Sequence, residues 1–391
     1  MIKLKNSDKA INRIILALKN SEKIGIWSDY DPDGVFALVI AYEALKNAGF
    51  KKENLELILP NQYKHNRSFN KFHLSILKRM GIKLIIGIDF GTSDFKQVAV
   101  AKKMGFEVIL LDHHRQRPGK LLATLVNPWQ KGDRSKYKNW SGAGVAYLFF
   151  ENLYKKLGIS LKKLEQSLDL LLIPTIADYI KIDRGNLPYL KNSLKKMGDG
   201  LRPGLEDSLK ELKLQKNLTV NKFVKNRQNI ADFYGILKNN GDENNVFNLL
   251  ITRDNKKAKK IIKNIREDKV NFKNFVEKIT KQGIKKFKCA KNLDYILWGL
   301  NKEIKLIGAG SKVAHGLNDY FKIPVYFYNK EKNYLKGSVR ANFSNKSVVD
   351  ALKSCGDIFI DYGGHPRAAG FHIQKHNLKK FKEGLDKFYA K

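Results

Sequence analysis

Cysteine is almost absent: the 391 residues include Cys289 and Cys355 and no others. That excludes a disulfide framework and a cysteine-built zinc site, and it fits a reducing compartment. Long apolar runs are missing as well. No stretch approaches the ~20 residues of a membrane span, and the opening Met1-Ile2-Lys3-Leu4-Lys5 lacks the apolar core of a secretory signal. The expected location is the cytoplasm, with no membrane partner. No solenoid-period repeat or low-complexity tract is present. Acidic residues are scarce beside basic ones: 38 Asp and Glu against 74 Lys and Arg leave a formal charge of +36. Such an excess favours a polyanionic partner, nucleic acid before an anionic membrane surface. A lysine-rich proteome would give the same excess, and the charge is too evenly spread to mark a groove.

What is present is a sizeable apolar fraction, 43%, in a chain long enough for more than one core. Residues 10–20 carry apolar side chains at helical spacing. Strand-length apolar runs follow at 23–27, 55–59, 83–88, 107–111 and 124–126, alternating with helix-like segments at 35–48, 72–80, 95–104 and 142–157. Strands alternating with helices imply right-handed crossovers and a mostly parallel sheet. A helical pattern at 161–173 follows. Residues 198–246 read as irregular, and 255–287 as one long amphipathic helix, or two. Short runs at 293–297, 305–307, 324–328, 334–339, 358–360 and 370–373, with helices near 312–320 and 348–352, suggest a second, smaller α/β unit. The expected division is 1–215, a helical connector 216–288, and 289–391.

In parallel sheets ligands sit beyond the carboxyl ends of the strands. Here the first strand runs into Ser28-Asp29-Tyr30-Asp31-Pro32-Asp33-Gly34, the third into Asp89-Phe90-Gly91, and the fourth into Asp112-His113-His114. Carboxylates crowded at strand ends repel one another unless a cation holds them ionised. A divalent metal site is the direct reading. Asp178, closing Thr175-Ile176-Ala177-Asp178, is either a helix cap or a further ligand.

The acidic run has two rival readings. An EF-hand loop starting at Asp29 would need a bidentate Glu at its twelfth position, where Ile40 stands. An aspartyl-phosphate chemistry on Asp31 and Asp33 leaves Asp29, Asp112, His113 and His114 idle. A third reading uses them all. Asp112-His113-His114 after an apolar strand, joined to the acidic run, resembles the DHH phosphoesterases, in particular their RecJ branch of single-strand-specific exonucleases. The likeness continues through Val126-Asn127-Pro128, Ser141-Gly142-Ala143-Gly144-Val145-Ala146, Thr175 to Asp178, Asn186, Arg202-Pro203-Gly204-Leu205, Gly337-Ser338-Val339-Arg340 and Gly363-Gly364-His365-Pro366-Arg367-Ala368-Ala369-Gly370.

The resemblance implies an α/β fold, in which a mostly parallel-sheet DHH domain is joined by a long helix to a smaller α/β DHHA1 substrate-binding domain. It implies phosphodiester hydrolysis with two divalent ions ~3.5–4 Å apart; oxygen and imidazole donors suit Mn²⁺, with Mg²⁺ as the alternative. Asp31 would hold one ion and Asp33 the other, with Asp89 bridging and His113 and Asp178 completing the second. His114 would sit beside the scissile phosphate, Asp112 would fix an imidazole tautomer, and Asp29 would either ligate or orient the attacking water. Ser338, Arg340, Gly363, Gly364, His365 and Arg367 would contact substrate. Tyr30, Trp129, Tyr137 and Trp140 are candidate stacking faces.

The activity so implied is a single-stranded DNA exonuclease of repair and recombination, 5′-to-3′, with DNA favoured over RNA and a single-strand-binding or replication protein as partner. A phosphodiesterase for short oligonucleotides or cyclic dinucleotides, and a replication scaffold of the same fold, are the alternatives. Residues 227–233 and 60–64 depart from segments usual in that branch, Asn-Ala-Ala-Gly-Arg-like and Gly-Tyr-Gly respectively; full-length members commonly add an OB-fold beyond the substrate-binding unit.

Overall fold

In this computed structural model, residues 2–59, 68–199, 202–216, 218–236, 245–290, 293–301 and 308–390 are described. The loop 60–64 and the expected strand 305–307 lie outside them. The chain divides into two compact units, Met1–Ile265 and Arg266–Lys391.

The first unit opens with α1 (Ser7–Lys19), β1 (Ile24–Ser28), α2 (Pro32–Asn47), β2 (Leu55–Ile58), α3 (Lys71–Arg79), β3 (Leu84–Ile88), α4 (Phe95–Lys103), β4 (Glu107–Leu111), β5 (Thr124–Val126) and α5 (Gly142–Leu157). Its strands form an all-parallel sheet in the order β2-β1-β3-β4-β5. Alternate side chains serve opposite faces, as the period of two requires. Ile24, Ile26, Ile86, Ile88, Ile109 and Leu111 enter one core with α1, α2 and α5. Trp27, Ile58, Ile85 and Leu110 enter another with α3 and α4. Helix α2 is apolar almost all round and is buried from Asp33 to Leu45 apart from Glu43, as expected of a helix enclosed by neighbours. The chain order turns back across β1 between β2 and β3. Crevices at such a reversal, beyond the carboxyl ends, are where parallel sheets bind ligands.

Two expectations are corrected in the rest of this unit. Residues 161–173 are mainly 3₁₀ turns, Leu161–Lys163 and Glu165–Leu170, before α6 (Leu172–Ala177). The tighter backbone turns Ser167 and Asp169 inward, where Ser167 Oγ donates to Glu43 (2.8 Å) and Asp169 accepts from Arg202 (2.8 Å). After α7 (Leu187–Gly198), the stretch read as irregular contains α8 (Pro203–Glu211), α9 (Val220–Lys225) and α10 (Arg227–Ile236), then α11 (Asn245–Ile251). These helices bury Leu205, Leu209, Phe223, Ile230, Phe233 and Tyr234 in the main core.

Helix α12 (Asn255–Phe287) is a single helix, and the division falls within it. Ala258, Ile261, Ile262 and Ile265 belong to the first unit's core, and Ile279 to the second's. The second unit continues with β6 (Ile296–Leu300), α13 (Ala309–Phe321), β7 (Val325–Glu331), β8 (Tyr334–Arg340), α14 (Val348–Ser354), β9 (Phe359–His365), β10 (Ala368–Gln374) and α15 (Leu378–Tyr389). Its sheet, ordered β6-β7-β8-β10-β9, is parallel at β6–β7 and antiparallel elsewhere. No described helix is long and apolar enough to cross a membrane.

Candidate metal centre

The sheet delivers its acidic residues in a staircase. Beyond β1, the Asp29 backbone N–H donates to the Ile88 carbonyl that ends β3 (3.1 Å). Asp89 N–H donates in turn to Leu111 at the end of β4 (2.9 Å), and Asp112 N–H to Val126 at the end of β5 (3.1 Å). Three neighbouring strand ends are thereby fixed in register, each presenting a carboxylate. Asp89 holds a left-handed backbone, φ +65°, a conformation costing a non-glycine residue ~1–3 kcal/mol and kept where the surroundings demand it.

Helix termini place the remaining acids. Asp31 caps α2, accepting from Gly34 N–H at 3.0 Å. Asp33, in the first turn of α2, accepts from the first N–H groups of α5: Gly142 to Oδ2 at 2.6 Å and Ala143 to Oδ1 at 2.8 Å. A helix N-terminus is a natural anion seat. Gly142 is required there, because a Cβ would stand 2.5 Å from Asp89 Oδ1. Asp178 follows the last turn of α6.

The structure brings Asp29, Asp31, Asp33, Asp89, Asp112, His113, His114 and Asp178 together. Three sets have donor atoms close enough to share an ion: Asp29, Asp31 and Asp89; Asp33, His113 and Asp178; and Asp89, His113 and His114. Around His113 Nε2 stand Asp89 Oδ1 at 3.1 Å, Asp178 Oδ2 at 3.6 Å and Asp33 Oδ2 at 3.7 Å. Adjacent donors on an octahedral ion with bonds of ~2.1 Å lie about 3 Å apart. The ring also hydrogen-bonds the Trp140 backbone. With its proton on that side, Nε2 turns a lone pair toward the carboxylates. Asp89 Oδ1, buried, has no hydrogen-bond donor among the described residues. A lone-pair nitrogen facing an orphaned carboxylate oxygen is unfavourable once that carboxylate is ionised, unless a cation sits between them. The donor set therefore fits divalent metal.

Electrostatics agree. Burial and the neighbouring acids Asp178 and Asp31 push the Asp33 carboxyl well above the usual range; burial, Asp33 and Asp31 do the same to Asp89. Burial and the adjacent His114 lower His113 to about 4, leaving a neutral imidazole, the form that ligates. Asp112 behaves oppositely. Burial would raise it, but His114 and His113 outweigh that and hold it well below the carboxylate range. Its Oδ1 accepts from His113 N–H (2.7 Å), His114 N–H (3.2 Å) and His114 Nδ1 (2.8 Å), and its Oδ2 from Thr92 N–H (2.9 Å). The tautomer Asp112 orients is thus that of His114, whose side chain is 44% exposed.

Sequence reasoning singled out no part for Thr92, took Asn127 and the first residues of α5 only as motif residues, and gave Trp140 only a stacking role. Asn127 Nδ2 donates to Thr92 Oγ1 and to the His114 carbonyl, both at 2.9 Å. The signal available was the run Ser141-Gly142-Ala143-Gly144, a capping serine with small residues behind it, and Ser141 does accept from Gly144 N–H at 3.1 Å. Among the aromatic candidates, Trp140 is 3% exposed and packs edge-on against Tyr189, so it offers no stacking face.

Ser338, Arg340, Gly363, Gly364, His365 and Arg367 form a separate group in the second unit. Ser338 on β8 and Gly363 on β9 flank Gly370 of β10, and Arg340 and His365 flank Ala368. Gly364 has φ +148°, and a Cβ there would lie 2.3 Å from the Ala368 carbonyl oxygen; one on Gly363 would meet nothing within 4 Å. Arg340 donates to the Val339 carbonyl (2.7 Å) and to Ser311 Oγ. Arg367, in the turn to β10, reaches the Ala341 carbonyl (3.4 Å).

Comparison with known proteins supplies the family. Residues 23–175 match the DHH family, N-terminal domain, and residues 308–391 the DHHA1 domain. The single-stranded-DNA-specific exonuclease RecJ of Bacillus subtilis is 27% identical over 98% of this chain and 48% of its own length. That of Thermus thermophilus is 24% identical over 100% of this chain and 55% of its own. The chain thus spans about half the length of these relatives. A crystal structure of exonuclease RecJ bound to manganese superposes with a TM-score of 0.81 at 22% identity, covering 100% of this chain and 96% of that one, which establishes the fold. With both domains in order and RecJ-like sequence over nearly its whole length, the chain belongs to the DHH phosphoesterases, on their RecJ-like branch.

Proposed function

We propose that the protein is a metal-dependent exonuclease hydrolysing phosphodiester bonds in single-stranded DNA, with a role in repair and recombination, two Mn²⁺ ions as cofactor and Mg²⁺ as substitute. The observation carrying this reading is the position of Asp89, which shares donor sets with Asp29 and Asp31 on one side and with His113 and His114 on the other. Asp29, Asp31 and Asp89 would hold one ion, and Asp33, Asp89, His113 and Asp178 the second. When bound, such a pair neutralises phosphate oxygens, activates water and stabilises the leaving alkoxide.

The chain's own residues supply positioning. Asp112 keeps the His114 proton on Nδ1 when the ring is neutral, presenting Nε2 to the scissile phosphate. The α5 N-terminus anchors Asp33, and the Trp140 backbone anchors His113. Ser338, Arg340, Gly363, Gly364, His365 and Arg367 hold the strand, glycines admitting it closely and arginines forking onto phosphate. The +36 charge favours a long polyanion over a small dinucleotide. A single-strand-binding or replication protein is the partner this role implies; 5′-to-3′ polarity and DNA preference rest on the resemblance to RecJ.

The test is degradation of end-labelled single-stranded DNA, RNA and short oligomers with Mn²⁺ or Mg²⁺. Long single-stranded DNA should be digested, and Asp31→Ala and His113→Ala should each abolish digestion. Faster turnover of di- or trinucleotides would install the short-oligonucleotide reading, and absence of hydrolysis with intact DNA binding the scaffold reading.

A further inference from the structure

Beside His114 lies a cavity of about 280 Å³, whose lining includes Thr92, Ser93, Asp94, Asp112, Arg115 and Arg117. Its walls are the loop after β3 and the loop after β4, tied together by Thr92 N–H donating to Asp112 Oδ2 (2.9 Å), Arg117 N–H to Ser93 Oγ (2.9 Å) and, more weakly, Ser93 Oγ to the Arg115 carbonyl (3.5 Å). Asn127, bonded to Thr92 and the His114 carbonyl, also accepts from Trp129 N–H (2.8 Å), and the Arg115 guanidinium lies over the Trp129 ring, 3.3 Å from its centre. Arg115 is thus held by stacking, which occupies its face and leaves its in-plane N–H donors for a ligand. The arginines make no ion pair with a described residue within 4 Å. The acids facing the cavity are Asp112, already accepting from four donors, and Asp94. Cross-tied walls, two exposed guanidinium groups and the His114 imidazole among the lining offer a seat for a phosphate oxyanion.

We propose that Arg115 and Arg117 bind the phosphodiester adjacent to the scissile one, making this cavity a second phosphate subsite that sets strand register. The assignment rests on the nuclease reading above. It explains how the site would prefer a polymer on its own account: a dinucleotide has one linkage and leaves this seat empty, whereas a trinucleotide fills it. Contacts to non-bridging oxygens position a strand without reading its bases.

The experiment is a cycle between substrate and protein. Single-stranded oligonucleotides carrying one neutral methylphosphonate, at either linkage flanking the scissile bond, are compared with the all-phosphate strand for wild type and Arg115→Ala/Arg117→Ala, with Mn²⁺. For wild type, neutralising one flanking linkage should raise KM about tenfold or more with kcat little changed. For the variant, the same modification should have no further effect, and Arg115→Lys/Arg117→Lys should recover part of the loss. The salt dependence of binding should also become shallower by ~0.7 for the phosphate lost. Independent, multiplying penalties at both linkages, or a variant indistinguishable from wild type on the all-phosphate strand, overturns the subsite while leaving the nuclease reading intact. A wild type that neither binds nor cleaves single strands with either metal overturns both.

Discussion

His113 Nε2 and Asp89 Oδ1 face each other at 3.1 Å, nitrogen lone pair to carboxylate oxygen, with Asp33 and Asp178 behind. With the ring proton on the Trp140 side, a proton on Asp89 can bridge the pair; once that carboxyl ionises, the two lone pairs repel and a cation relieves the repulsion. Several consequences can be measured.

Metal affinity should rise with pH. Burial and mutual repulsion raise the folded-state values of Asp33 and Asp89, so the metal-free fold keeps protons that the unfolded chain has released. Their protonation stabilises the metal-free fold at low pH, a contribution lost as pH rises through the raised values. Mn²⁺ must expel those protons, whereas His113, at about 4, is already neutral at pH 6. Calorimetry in buffers of different ionisation heat should show proton release that diminishes toward alkaline pH.

Gly142→Ala should weaken metal binding. Its Cβ would fall 2.5 Å from Asp89 Oδ1, so the carboxylate or the start of α5 must shift, disturbing Asp33 as well. A loss of ~10–100-fold in Mn²⁺ affinity is expected, the range seen when groups that orient a ligand are altered, with circular dichroism unchanged. A drop in stability with metal affinity intact would show that the contact relaxes elsewhere.

Asp112→Asn should retain the bonds to Oδ1 but set an amide donor against Thr92 N–H. Activity is expected to fall ~10–100-fold, as for other groups that orient a catalytic imidazole. The Asp112 value lies low in the fold, so its stabilisation is present above the unfolded carboxylate value, ~3.9, and is lost as pH falls through the folded one. The gap in urea midpoint between wild type and variant should hold steady above pH 5 and narrow in acid.

Arg202 serves stability. Fully buried, it donates to Asp169 Oδ2 (2.8 Å), Glu43 Oε1 (2.9 Å) and the Leu250 carbonyl (2.9 Å), tying α2 to α11. Arg202→Met strands Asp169, and removing one partner of a buried pair costs ~3–5 kcal/mol. Equilibrium denaturation measures it; a change under 1 kcal/mol would show that the acids neutralise at little expense.

Much of the candidate metal centre was legible because Asp29, Asp89, Asp112 and the histidines follow strands, and the parallel sheet carries strand ends to one edge. Asp29, Asp89 and Asp112 could be placed from apolar runs alone. The bond from α5 to Asp33 joins residues more than a hundred positions apart, and periodicity carries no such information. Arg202 appeared only as part of a motif, since nothing local reveals that Asp169 and Glu43 reach it. Residues 161–173 read as helix because their apolar spacing suits one, while buried Ser167 and Asp169 impose tighter turns. Helix α15 went unread although Phe381, Leu385 and Tyr389 recur every fourth residue; dense lysine around them masks the stripe.

The sharing of Asp89 by two ions is tested most directly by Mn²⁺ titration with electron paramagnetic resonance on wild type and Asp89→Asn. Wild type should bind two ions per chain and give an exchange-coupled spectrum, and the variant should lose one ion or the coupling, its signal reverting to that of isolated Mn²⁺. Two tightly held, coupled ions in Asp89→Asn would contradict a centre built around this residue.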